Sequence, residues 1–281
     1  MVYWLCRMTA QKNSVLPGFG LTLGFTFFYL GAILLVPMAA LILRACEINW
    51  HDFVRLATQP RALAAYRLTF SAALVAALVN AVFGTLLAWV LVRYEFPGRR
   101  LIDALVDFPF ALPTAVAGLT LANLFSAQGW FGRVLVPRGI QGAYSVLGVV
   151  IALTFVGLPF AVRTLQPVLQ GLERDLEEAA ATLGAGRFYT FRRILLPTLL
   201  PGVLTGFALA FARAVGEYGS IVFISGNLPF KTEIAPYLIV VRLEEYDYTG
   251  ATAIAAVLLV ISFVLLAFIN WLEAWARRFQ L

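Results

Sequence analysis

The sequence predicts an all-α integral membrane protein with six spanning helices. Three observations carry this. Of 281 residues, 61% are hydrophobic and only 13% charged, against roughly 45–50% and about 25% in an average soluble domain. Mean hydropathy is +0.86. The charges gather between long charge-free runs, each close to the roughly 20 residues a helix needs to cross hydrocarbon.

The spans follow in order. Charge-free runs occupy Phe19–Leu43, Leu68–Val92, Phe108–Gly132 and Gln141–Val162. The fifth starts at Thr198 and continues through Arg213 and Glu217 toward Asn227; the sixth is Thr249–Leu272. The expected spans are thus about 19–43, 68–92, 108–130, 143–163, 198–224 and 250–272, within one membrane domain over 19–281. A β-barrel would show short alternating strands instead. The first run exceeds a signal-peptide h-region and reads as an uncleaved span. Trp50, Trp130, Trp271 and Trp275 lie near span ends, where interfacial anchors sit.

Composition excludes much else. One His (His51) and two Cys build no conventional zinc or iron–sulfur site, so no metal or catalytic residue is expected. Neither Lys12 nor Lys231 follows a glycine, so the chain has no phosphate-binding G-x-x-x-x-G-K-[ST] loop. The net charge of +6 lies in short connections, which favours membrane topology over nucleic acid. With a cytoplasmic N-terminal segment 1–18, cytoplasmic connections hold 12 Lys and Arg and the opposite side 8. Both termini are then expected inside.

The connection Arg163–Pro197 predicts a short helix–turn–helix outside the membrane. Leu172, Leu176, Ala179, Ala180 and Leu183 share one helical face. Glu173, Asp175, Glu177 and Glu178 crowd its start, where the helix dipole favours acids. Gly184 and Gly186 end it, and Arg187, Arg192 and Arg193 lead to Pro197. An ordinary capped, solvated loop would also account for this composition. The pattern Glu178-Ala179-Ala180, three residues, Gly184, nine residues, Ile194, then Leu196-Pro197 resembles the EAA loop, about 172–197, of ABC-transporter permeases. The resemblance implies a type I, MetI-like importer permease whose cytoplasmic coupling helix docks on a separate ATPase through Glu178, Ala179, Ala180, Gly184, Ile194 and Pro197.

In the fifth span Arg213 and Glu217 are four apart and share a helix face. They are either a mutually neutralising pair between packed helices or part of a polar translocation path, because a lone charge there is costly. Tyr218-Gly219-Ser220 and Ser225-Gly226-Asn227 follow. They either terminate the helix or present hydroxyl, amide and backbone donors to an anion. Arg213, Glu217, Ser220, Ser225, Gly226 and Asn227 are therefore the candidate path or gate residues.

The stretch Ala208–Pro236 (ALAFARAVGEYGSIVFISGNLPFKTEIAP) resembles the T-type permease subunits of sulfate/thiosulfate importers. So do Phe108–Gly118, Leu158–Val168 and Leu243–Ala253. That likeness implies a heterodimer with a W-type permease, an A-type ATPase dimer and a periplasmic sulfate- or thiosulfate-binding protein. It implies no cofactor in this chain, ATP and Mg being bound by the ATPase. It implies a place in a bacterial inner membrane, or a plastid envelope if organelle-encoded, with lipid as its other partner. An ion-driven secondary transporter would be expected to carry several intramembrane carboxylates, and Glu217 is the only acid well inside a span. A Ser/His intramembrane protease would need a His in a span. A structural anchor leaves the EAA spacing unexplained.

Overall fold

A computed structural model describes residues 19–172 and 175–277. The expected N-terminal segment 1–18 and residue Glu173 lie outside them. The chain divides into two units between Asn49 and Trp50.

The described residues of the first unit form one apolar helix, α1 (Phe19–Glu47). Its middle turn, Gly31–Leu35, is π-helical, two residues before Pro37. Proline has no N–H and its ring crowds the carbonyl four residues back. A wider turn absorbs that mismatch.

The second unit contains α2 (Trp50–Ala57), α3 (Pro60–Arg93), α4 (Arg99–Val106), α5 (Phe108–Ala111), α6 (Thr114–Phe125) and α7 (Gly132–Leu135). It continues with α8 (Val146–Gln170), α9 (Asp175–Thr182), α10 (Arg187–Val215), α11 (Ile221–Ile224), α12 (Ala235–Glu244) and α13 (Tyr248–Arg277). Among the described residues, five helices, α1, α3, α8, α10 and α13 (through Leu272), are long and apolar enough to cross a membrane.

The third expected span is not one helix. Pro113 forces Leu112 into an extended conformation, so the run divides into α5 and α6. The two helices hold 4 and 12 residues, and the whole stretch from 108 to 125 would be about 27 Å long if helical throughout, close to the roughly 30 Å hydrocarbon thickness. The fifth span stops at Val215 rather than near 224, and the chain turns before α11. The second expected span, α3, begins eight residues before its charge-free run and takes in Arg61 and Arg67.

The core is built on α3, α8 and α10. Their facing residues are small: Ala72, Ala73, Ala76 and Ala77 of α3, Ala152 and Ala161 of α8, Ala208 and Ala210 of α10. Contact is close enough that a Cβ on Gly84 would lie 2.7 Å from that of Ala161, and one on Gly206 would lie 3.1 Å from the Ala161 Cα. Large side chains such as Leu78, Val82, Phe83 and Leu86 point outward instead. Lipid is as apolar as leucine, so dispersion between closely approached backbones holds such helices together. Trp50, Trp130 and Trp271 are all exposed.

Candidate functional site

The first candidate site is the connection between α8 and α10. Helix α9 begins with Asp175, Glu177 and Glu178, complementing its N-terminal dipole. It ends in a left-handed glycine cap: Gly184 has φ +80°, its N–H donates to Ala181 C=O, and Ala185 N–H donates to Ala180 C=O, both at 3.0 Å. That is the hydrogen-bond pattern for which glycine is selected at a helix C-terminus. Gly186 has an ordinary φ of −70°, so the two glycines have different roles.

The predicted single apolar face is divided. Leu172 and Ala180 are buried, whereas Glu178 and Ala179 are exposed and Leu183 is 87% exposed. Ala180 therefore faces its own chain. Ala179 and Leu183, one turn apart, form the outward ridge. Phe188 and Tyr189 extend this exposed surface. Ile194 is half-buried and Pro197 exposed. The π-helical turn Phe191–Leu195 precedes Pro197 as Gly31–Leu35 precedes Pro37.

A residue not singled out from sequence holds this element in place. Arg93, the last residue of α3, pairs with Glu177 at 3.0 Å, donates to Leu172 C=O at 3.2 Å and lies 5.5 Å from the centroid of Trp89. Trp89 in turn meets Phe191 edge-on. On α4, Asp103, together with Asp107, receives Arg163 of α8, at 2.7 and 2.5 Å. A hydrogen bond from Gln166, together with Arg163, holds the Asp103 carboxyl below the usual aspartate range.

The second candidate site is the turn after α10. Arg213 and Glu217 form an ion pair, and Glu217 is 2% exposed. The Glu217 carboxylate also accepts from Ser220 N–H at 2.9 Å and Ser220 Oγ at 2.8 Å. Ser225 Oγ donates to Asn227 Oδ1 at 2.7 Å, and Asn227 Nδ2 donates to Val222 C=O at 2.8 Å. Gly226 and Asn227 both have positive φ. Of the six predicted path residues, Glu217, Ser220 and Ser225 are buried, and their polar atoms bond within this segment. Only Arg213, Gly226 and Asn227 reach the surface of the chain. Backbone approach fixes the turn further: a Cβ on Gly118 of α6 would strike Ser220 C=O.

The adjoining loop is clamped to the start of α3. Arg61 donates two hydrogen bonds to Glu233, at 2.8 and 2.7 Å, and Thr69 Oγ1 accepts from Ala235 N–H at 2.8 Å. Arg61 and Glu233 are 172 positions apart, so no local pattern pairs them.

An exposed, capped helix thus lies between two spanning helices, with every residue of the resembled EAA pattern present. A family model described as "Binding-protein-dependent transport system inner membrane component" matches residues 80–278. The chain belongs to this family. It is therefore a permease subunit of an ABC importer, not itself catalytic, with the ATPase on a separate chain. It is 58% identical, over 90% of its length and 89% of the relative's, to a "Probable sulfate transport system permease protein cysT" of Nephroselmis olivacea. It is 49% identical to the "Sulfate transport system permease protein CysT" of Escherichia coli strain K12, over 95% of this chain and 97% of that one. The fold is similar to a chain of a bacterial alginate ABC transporter solved in complex with alginate pentasaccharide-bound periplasmic protein. There the TM-score is 0.72 at 20% identity, covering 90% of this chain and 92% of that one.

Proposed function

We propose that this chain is one of two permease subunits of an ATP-driven importer of sulfate or thiosulfate. One observation carries the reading: relatives named as sulfate permeases align over nine-tenths of the chain at about half identity or better. The outward ridge of α9 is the face offered to the ATPase. In this reading a W-type permease completes the pathway and an A-type ATPase dimer binds ATP and Mg. A periplasmic binding protein delivers the anion. The protein sits in an inner membrane with both termini cytoplasmic, so α9 and Arg93 face the ATPase and the Arg61–Glu233 clamp faces outward.

The test is radiolabelled sulfate uptake in cells lacking this chain, with the chain restored as wild type or as Glu178→Lys. Wild type restores uptake. Glu178→Lys does not, at equal membrane abundance. Uptake by Glu178→Lys at the wild-type rate refutes the coupling role; failure of the wild type to restore any sulfate uptake refutes the substrate.

A further inference from the structure

The polar side chains of the turn after α10 are largely bonded within that turn, which leaves few donors there for an anion. Helix α6 supplies a second polar surface. Leu119, Thr120 and Asn123 are exposed along one of its faces. An exposed threonine and asparagine on a largely apolar helix are poorly placed against hydrocarbon. With Gln128, Trp130 and Arg133 they line a cleft of about 500 Å³. Every polar side chain in that lining can donate a hydrogen bond, and none is a carboxylate.

The surrounding loop removes what would repel an anion. A helix C-terminus carries partial negative charge on its free carbonyls, and here two of them are covered. Phe131 N–H donates to Leu124 C=O at 3.0 Å, and Ser126 Oγ to Asn123 C=O at 2.8 Å. Arg133 Nε donates to Gln128 C=O at 2.9 Å. This fixes the guanidinium at the rim, and Arg133 pairs with no carboxylate among the described residues. The loop is tightly wound: a Cβ on Gly129 or Gly132 would collide with backbone carbonyls. It also lies at the end of the molecule away from α9. Gly142, just before α8, packs on Phe125, whereas α9 follows the far end of α8.

We propose that this cleft is the entry site of the pathway on this subunit, binding a small tetrahedral oxyanion of charge −2 through Arg133, Asn123 and Thr120. The proposal rests on the importer reading above. Arg133 supplies the charge, and the amide and hydroxyl supply neutral donors from which the anion can leave.

The experiment uses the assembled importer in intact cells, with Cys6 and Cys46 replaced by serine. Thr120→Cys and Asn123→Cys are labelled with a negatively charged, membrane-impermeant methanethiosulfonate, with and without sulfate during uptake. Both label, and sulfate slows labelling several-fold; Tyr246→Cys, 79% exposed, labels at a rate sulfate does not change. Arg133→Gln raises the KM for sulfate uptake about tenfold at unchanged abundance, and Arg133→Lys keeps most of the affinity. Cysteines that never label, or that label equally with sulfate present, overturn the site, as does Arg133→Gln with the wild-type KM. If the wild-type chain restores no sulfate uptake, the importer reading fails instead.

Discussion

Replacing Gly184 by alanine should weaken coupling while leaving the spanning core intact. At φ +80° an L-residue costs about 1–2 kcal/mol. No other strain is added, because a Cβ there meets nothing within 4 Å. Alanine regains about 0.4–1 kcal/mol through a less flexible unfolded chain. The net cost, roughly 0.5–1.5 kcal/mol, falls on the two cap hydrogen bonds and on the seating of Leu183. Spread over docking, it is about a two- to tenfold loss of ATPase affinity. Gly186, at φ −70° with open space at its Cβ, accepts alanine at no cost. Asparagine at 184 should fall between glycine and alanine, since it tolerates the left-handed region. The assay is retention of the ATPase on the tagged, detergent-purified complex, with sulfate uptake measured in parallel. Wild-type retention by Gly184→Ala, or an equal loss in Gly186→Ala, would show that the left-handed cap is not what shapes the docking surface.

Arg213→Ala leaves the buried Glu217 carboxylate unpaired, a cost of about 3–5 kcal/mol. Its membrane abundance should drop sharply and partly recover in Arg213→Met/Glu217→Gln; a stable single variant would refute a structural pair. Gly118→Ala should lower the melting temperature in detergent by the equivalent of about 1–3 kcal/mol, because its Cβ meets Ser220 C=O; an unchanged midpoint would mean that α6 moves freely against that turn. Asp103 has a lowered folded pKa, so its tie to Arg163 and Gln166 contributes stability above the ordinary aspartate value near pH ~4. That contribution disappears as pH falls through the lower folded value. Protease cleavage of α4 should therefore rise only below about pH 4, and Asp103→Asn should remove the dependence.

The long spans were legible because hydrocarbon imposes one requirement, a run of apolar residues, that charge spacing reports directly. The capped helix was legible too, since Glu178, Ala179 and Gly184 lie within one local pattern. Its partition was not: Ala180 is buried and Leu183, just past the end of α9, is exposed, although the periodicity places both on one face. The break at Leu112-Pro113 carried a readable proline signal that the apolar run outweighed. Arg61–Glu233, Arg93–Glu177 and Arg163–Asp103 join residues 172, 84 and 60 positions apart, and no spacing rule reaches that far. The path residues were chosen for polarity alone, which does not distinguish a side chain bonded to its own turn from one presented to a ligand. The KTEIAP stretch acquires a physical role only in three dimensions, where Glu233 and Ala235 tie the loop to α3.

Helix α3 carries an ion pair at each end, Arg61 with Glu233 and Arg93 with Glu177. Its 34 residues make a rod about 51 Å long. Pivoted at one end, a tilt of about 5° carries the other about 4 Å. On the importer reading, such a rod would be a lever fastened at each end to a segment of distant chain. A displacement imposed on α9 would then arrive at the opposite loop through one piece of secondary structure, with no relay of side-chain rearrangements between.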